Sequence, residues 1–175
     1  SRRGLVNQVN HEAITETIET VAQHPRLLAV GTLDPRHFLN WRQDLRTCVE
    51  GGCVAIRFAP GPQSWSPDTL LFEKMAAAVG ETGLPIIVDF NGAGAAALTW
   101  IHKIGAITAR HSVCAVLNEI SYAYMGELIT VMQEYPRLYA AIRWLSLANG
   151  LEVMVAEGIG DRLLYGSNAP KYSIR

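Results

Sequence analysis

Short apolar runs alternate with amphipathic stretches along the whole chain. Leu27 to Gly31, Val54 to Phe58, Pro85 to Phe90, Val113 to Ile120, Tyr139 to Leu145 and Arg162 to Tyr165 predict strands. Most are near-continuous apolar runs, without the alternation of a strand wetted on one face. Strands read this way when both faces are covered, as in a parallel sheet.

The stretches between them predict helices. Asn10 can cap a helix whose Ile14, Ile18, Val21 and Ala22 share one face, with His24-Pro25 as its stop. Asp34-Pro35 gives a cap and first-turn proline ahead of the stripe Phe38, Trp41, Leu45, Cys48 and Val49. Ser66-Pro67-Asp68 repeats that start signal before Leu71, Met75, Ala78 and Val79, and Gly83 ends the helix. Further helices are expected from Ala95 to Ile104, from Gly126 to Tyr135 and after Asn149, while Pro60 to Pro67 reads as a loop between strand and helix.

Strand–helix units in regular succession mean α/β architecture, either an open doubly wound sheet or a closed (β/α)8 TIM barrel. A barrel usually needs about 250 residues, and this chain has 175. A barrel here is therefore incomplete, with about six βα units. The expectation is one domain over 1–175, truncated at both ends, with its open edges covered by further sequence or by another copy in a homo-oligomer. No internal repeat or low-complexity segment interrupts the pattern.

Composition narrows the function classes. With 49% hydrophobic and 18% charged residues, and a mean hydropathy of +0.13, the chain is globular rather than disordered. Fifteen basic and 16 acidic residues leave a net charge of −1, with no like-charge block to mark a nucleic-acid or membrane surface. The longest apolar runs, such as Leu84 to Val88, fall far short of a bilayer span. Ser1-Arg2-Arg3 leads into polar sequence rather than a signal-peptide pattern. Cys48, Cys53 and Cys114 have no metal spacing and read as reduced, buried thiols, so a cytoplasmic protein is expected.

In either architecture the chemistry belongs at the carboxyl ends of the strands. The residues expected there are Thr32 and Asp34, Arg57, Asp89 and Asn91, Asn118 and Glu119, Arg143 and Ser146, then Ser167 and Asn168. A carboxylate buried there needs a partner, a metal or a ligand. Asp34 has a structural reading as a helix cap. Arg57 and Arg143 either pair with neighbouring carboxylates or bind a ligand. Asp89 and Glu119 follow apolar strand cores directly and carry the stronger functional signal.

None of the five histidines falls at a strand's carboxyl end, and His37 alone lies just past one. No His/Cys cluster has zinc spacing, and there is no G-x-S-x-G elbow. Gly92-Ala93-Gly94-Ala95-Ala96-Ala97 matches a dinucleotide-binding pattern, with Glu119 ending the next strand as a ribose partner. It arrives after two earlier βα units, however, with Asp89-Phe90-Asn91 between the strand core and the first glycine, and a small-residue loop for close helix–strand packing is the better reading.

Several segments, in order, resemble the amidohydrolase-related TIM-barrel family. They are Arg26-Leu27-Leu28-Ala29-Val30-Gly31-Thr32-Leu33-Asp34-Pro35, Ala55-Ile56-Arg57-Phe58, Trp65-Ser66-Pro67-Asp68, Gly83-Leu84-Pro85-Ile86-Ile87-Val88 and Gly160 through Pro170. The family includes metal-dependent hydrolases and the aminocarboxymuconate-semialdehyde type of decarboxylase. The resemblance spans nearly the whole chain and implies the closed barrel. It also implies a divalent metal, held by an H-x-H pair, two further histidines and the aspartate of a G-S-D near the end. Here the H-x-H is missing, Asp89 and Glu119 (or Asn118) stand at the histidine positions, and Asn168 replaces the aspartate. Asp89, Glu119 and Asn168 are thus the expected metal ligands and catalytic groups, with Zn, Mg or Mn as the ion. The competing expectation is a metal-free barrel, in which Arg57 and Arg143 supply the positive charge.

The resemblance leads to a hydrolase or decarboxylase acting on a small anionic organic molecule. Arg57, Arg143 and Asn91 would bind the substrate. The alternatives are a barrel that has lost its chemistry and kept a ligand-binding or structural role, and, more distantly, a Rossmann-like nucleotide binder.

Overall fold

The computed structural model describes residues 10–142 and 148–166. In chain order the elements are α1 (Asn10–Ala22), β1 (Val30–Thr32), α2 (Trp41–Glu50), β2 (Ala55–Phe58), α3 (Pro60–Gln63), α4 (Leu70–Glu81), β3 (Ile86–Asp89), α5 (Ala97–His111), β4 (Ala115–Asn118), α6 (Met125–Glu134), β5 (Leu138–Ala141), α7 (Gly150–Ala156) and β6 (Leu163–Leu164). The six strands form one sheet in the order β1-β2-β3-β4-β5-β6, every neighbouring pair parallel.

That order decides between the two architectures. A doubly wound sheet reverses strand order at a switch point, where its nucleotide sits. This sheet never reverses. Both of its ends, Val30 of β1 and Leu164 of β6, border the same cavity, so the sheet curls around it. The fold is a mixed α/β, incomplete TIM barrel of six βα units, and the Rossmann-like alternative is excluded.

The two faces of each strand have different fates. Ile56, Phe58, Ile86, Val88, Ala115, Leu117, Leu138 and Ala140 are buried in the hydrophobic core. The alternate residues Val30, Thr32, Arg57, Ile87, Val116, Asn118, Ala141 and Leu164 line the cavity. Between sheet and helices, Phe58 meets Phe72 of α4 edge-on at 5.1 Å, and Trp65 packs 5.2 Å from Phe72. Burying one such ring contributes about 1.5–3 kcal/mol.

The strands are shorter than the apolar runs predict. Val113 and Ile120 are buried but flank β4 rather than join it, while Leu27 and Leu28 lie exposed ahead of β1. Apolarity marks burial, whereas strand length is set by how far the neighbours run alongside. Predicted strand residues 143–145 lie outside the described residues.

Two helix starts also differ from expectation. Asp34-Pro35 begins no helix: the Asp34 carboxylate accepts the Arg36 backbone N–H at 2.9 Å, and α2 begins at Trp41. A carboxylate two residues before an N–H makes a turn as readily as a cap. Thr69, not Ser66, caps α4, accepting from the Phe72 N–H at 3.4 Å. The expected loop at Pro60–Pro67 contains the one-turn helix α3.

Candidate active site

Asp89 ends β3 at only 2% exposure. Its Oδ2 accepts from Arg57 Nε at 2.7 Å, and Arg57 Nη2 lies 2.5 Å from the same oxygen. Its Oδ1 accepts from Asn118 Nδ2 at 2.7 Å. The sheet register dictates this meeting. Asp89 stands directly opposite Asn118, and Arg57 pairs with Ile87, two residues back on the same face. A guanidinium is long enough to reach the next inward position, so three adjacent strands contribute one side chain each.

Burial is the largest influence on Asp89 and pushes its carboxyl above the ordinary carboxylate range. The Arg57 charge and the two hydrogen bonds oppose it, and the nearby Glu119 charge adds to it. Arg57 keeps 38% of its side chain exposed. At that exposure the pair adds nearer 1 kcal/mol than the several of a buried one. Of the five N–H groups on a guanidinium, two face Asp89, and among the described residues no other side chain engages the rest.

The cavity beside this cluster measures about 360 Å³. Its floor is apolar (Val30, Ile87, Val116), and Thr32, Arg57 and Asn118 supply polar groups. Strand β1 is tied to β2 at the rim: Leu33 N–H donates to the Arg57 carbonyl at 3.2 Å, and the Thr32 hydroxyl donates to it at 3.3 Å.

Asn91 and Glu119 lie elsewhere. Both line a second pocket of about 520 Å³ between the β3–α5 and β4–α6 loops, with Phe90, Tyr122 and Tyr124. Glu119 adopts a left-handed φ of 63°, uncommon for a non-glycine residue, immediately after β4. Among the expected site residues, then, Arg57 and Asp89 meet directly, whereas Asn91 and Glu119 share the neighbouring pocket. Arg143, Ser146, Ser167 and Asn168 lie outside the described residues. Asp34 is held by Arg36, whose Nη2 donates to Oδ2 at 2.6 Å. His37 is exposed, and its charge bears on Asp44 of α2.

Asn118 is the residue whose weight the sequence understates. Glu119, being charged, draws attention as the strand-end group. A strand places alternate residues on one face, and that parity joins Asn118, not Glu119, to the face of Asp89.

The family resemblance implies a divalent metal, so its fit to the residues present matters. Both Asp89 oxygens are already taken by hydrogen-bond donors, and a guanidinium occupies the position of a cation beside Oδ2. Among the described residues, no three His, Cys, Asp or Glu side chains stand close enough together to share an ion. The described residues do not fit a metal centre. Among them, too, no helix is long and apolar enough to cross a membrane.

Comparison with known proteins accords with this fold. Comparison with the curated proteins finds no match. Among solved structures, the crystal structure of a "putative amidohydrolase" from Staphylococcus aureus is similar, with a TM-score of 0.69 and 12% identity. The likeness covers 93% of this chain and 68% of that one, and at such identity it speaks to the fold alone. The amidohydrolase family model matches residues 2–171. With a match that runs over almost its whole length and a sheet of the matching architecture, the chain belongs to the amidohydrolase family.

Proposed function

We propose that this chain is the core of a hydrolase for a small carboxylate-bearing ester, lactone or amide, with Arg57 as the anion-binding centre. The observation that carries this reading is Arg57, paired with the buried Asp89, in the wall of a cavity whose floor is apolar. Guanidinium binds carboxylate through paired hydrogen bonds, and low surrounding polarity strengthens each of them. Arg143, two residues past β5 in sequence, is the second candidate to grip the anion.

Asp89 serves as general base. Its carboxylate accepts a proton from water as the water oxygen bonds to the acyl carbon. The proton then passes to the departing alcohol or amine as the acyl bond breaks. A carboxyl raised by burial is a stronger base than an ordinary one and suits the task. Asn118 holds the carboxylate in place, and Asn168 is assigned to orient water or substrate.

A second reading has its own support, because both Asp89 oxygens are already hydrogen-bonded. On that reading the barrel binds a carboxylate without turning it over. Assay of small carboxylate esters, lactones and amides, in chelator-treated protein, separates the two. Turnover that falls about 10²-fold or more in Asp89→Asn supports the hydrolase. Saturable carboxylate binding with no turnover supports the second reading, and turnover equal in wild type and Asp89→Asn overturns the base assignment.

A further inference from the structure

The cavity beside Arg57 is lined by inward-facing strand residues that the core leaves partly uncovered. Ile87 and Val116 are half-buried, whereas Ile86, Val88 and Leu117, next to them in the same strands, are fully buried. The inward side chains of a small barrel ordinarily stack in layers that fill it. Here they leave about 360 Å³ open. Apolar surface exposed inside a concave wall favours an apolar occupant.

Most polar groups on this lining already have partners. The Thr17 hydroxyl donates to the Ala13 carbonyl at 2.7 Å, and the Thr32 hydroxyl donates to the Arg57 carbonyl at 3.3 Å. The Asn118 amide donates to Asp89 at 2.7 Å. Arg57 is the one charged side chain on the described lining. A ligand matched to such a wall has one anionic end and a hydrocarbon body. Helix α1, packed on α2 and β1, forms a further side of the cavity through Ala13, Ile14 and Thr17. Ala13 and Thr17 are one turn apart on the same helix face. Ala13 is the smallest of the three, so enlarging it takes space from the cavity.

We propose that the substrate joins its carboxylate end to a hydrocarbon body of about seven carbons, and that Ala13 of α1 limits the size of that body. This rests on the reading of Arg57 as the carboxylate-binding group, which also keeps the scissile bond at the polar end, beside Asp89. The size follows from the volume. At about 30 Å³ for each water-sized group, a cavity of about 360 Å³ holds about 12 non-hydrogen atoms. The carboxylate and acyl groups take about five of these, and the body takes the rest.

The test titrates butyrate, octanoate, decanoate and dodecanoate calorimetrically into wild type, Ala13→Phe, Ala13→Leu and Arg57→Gln. Each buried methylene contributes up to about fourfold in affinity. The expected result is that octanoate binds wild type about thirtyfold or more tighter than butyrate, while dodecanoate gains less than about twofold over decanoate. Ala13→Phe should weaken octanoate about tenfold or more and butyrate less than about twofold. Ala13→Leu, a smaller change to a good helix former, should act in the same direction and stands in should the ring perturb folding. Octanoate binding no tighter than butyrate overturns the hydrocarbon body. Affinity that keeps rising through dodecanoate, or octanoate binding that both Ala13 variants leave intact, overturns Ala13 as the size limit. Butyrate affinity that is undiminished in Arg57→Gln, or the absence of any binding, overturns instead the carboxylate reading beneath it.

Discussion

Asp89 and Asn118 face each other across the β3–β4 ladder, and their side chains meet at 2.7 Å. A parallel register thus places an amide donor on a buried carboxylate, while the adjacent strand supplies a guanidinium to its other oxygen. The amide restrains the direction of the carboxylate and the guanidinium balances its charge. Removing one should therefore have different consequences from removing the other.

Asn118→Ala removes a hydrogen bond that lowers the Asp89 pKa. The ionised form then loses support, so the pKa should rise further. For a general base the rate increases with pH through that value. The expected outcome is a pH–rate profile whose acidic limb moves to higher pH in Asn118→Ala, measured over about pH 4–9. An unmoved limb would mean that Asp89 is not the titrating base.

Arg57→Gln leaves the buried Asp89 charge without its partner, at a cost of about 1–3 kcal/mol, less than in a fully buried pair because Arg57 is itself 38% exposed. Asp89 can escape part of that cost by taking up a proton, since burial already raises its pKa. The loss of stability should therefore be smaller at pH 5 than at pH 8. Urea midpoints at the two pH values check it, and the paired variant Arg57→Met with Asp89→Asn should recover most of the stability lost at pH 8.

Gly61 in α3 marks a close approach. A Cβ there would lie 1.9 Å from the Asn91 carbonyl oxygen, which is backbone and cannot swing aside. Gly61→Ala must push α3 away from the β3–α5 loop, at a cost of about 1–3 kcal/mol. Thermal unfolding measures the cost, as a fall of several degrees in the midpoint.

Asp44 is a second buried carboxylate, 4% exposed, with its Oδ1 3.2 Å from His11 Nδ1. Burial is the largest influence and raises its pKa, against the opposing effects of His11 and His37. A folded pKa above the unfolded one means that folding takes up a proton between the two values. Stability from this group therefore grows as pH falls toward the ordinary carboxylate pKa, and levels off below it. Asp44→Asn keeps an acceptor for His11 without the charge. Relative to this variant, the wild type should gain stability as pH falls toward the ordinary carboxylate range, from about pH 6 to about pH 4, a difference that denaturant titration reads directly.

Much of the architecture was legible in the apolar pattern, because burial and apolarity are the same physical fact for Ile56, Val88 or Leu117. Strand ends were less so, since the apolar runs include buried plugs such as Val113 and Ile120. The Asp34-Pro35 start signal failed because a carboxylate can satisfy a turn N–H as well as a helical one, and Arg36 completes its shell. For the site, residue types and strand-end positions pointed to Asp89 and Arg57, since an arginine beside a buried carboxylate either pairs with it or binds a ligand. The separation of Glu119 from Asn118 follows the alternation of β4, but it depends on the strand ending at Asn118, which its pairing with Asp89 sets and its apolar run does not reveal.

The most direct test of Arg57 as the anion-binding centre is a calorimetric titration of chelator-treated protein with butyrate, comparing wild type with Arg57→Gln. Saturable binding to the wild type, weakened at least tenfold in the variant, is the predicted result. Binding that disappears on chelation, or that Arg57→Gln leaves unchanged, would contradict it.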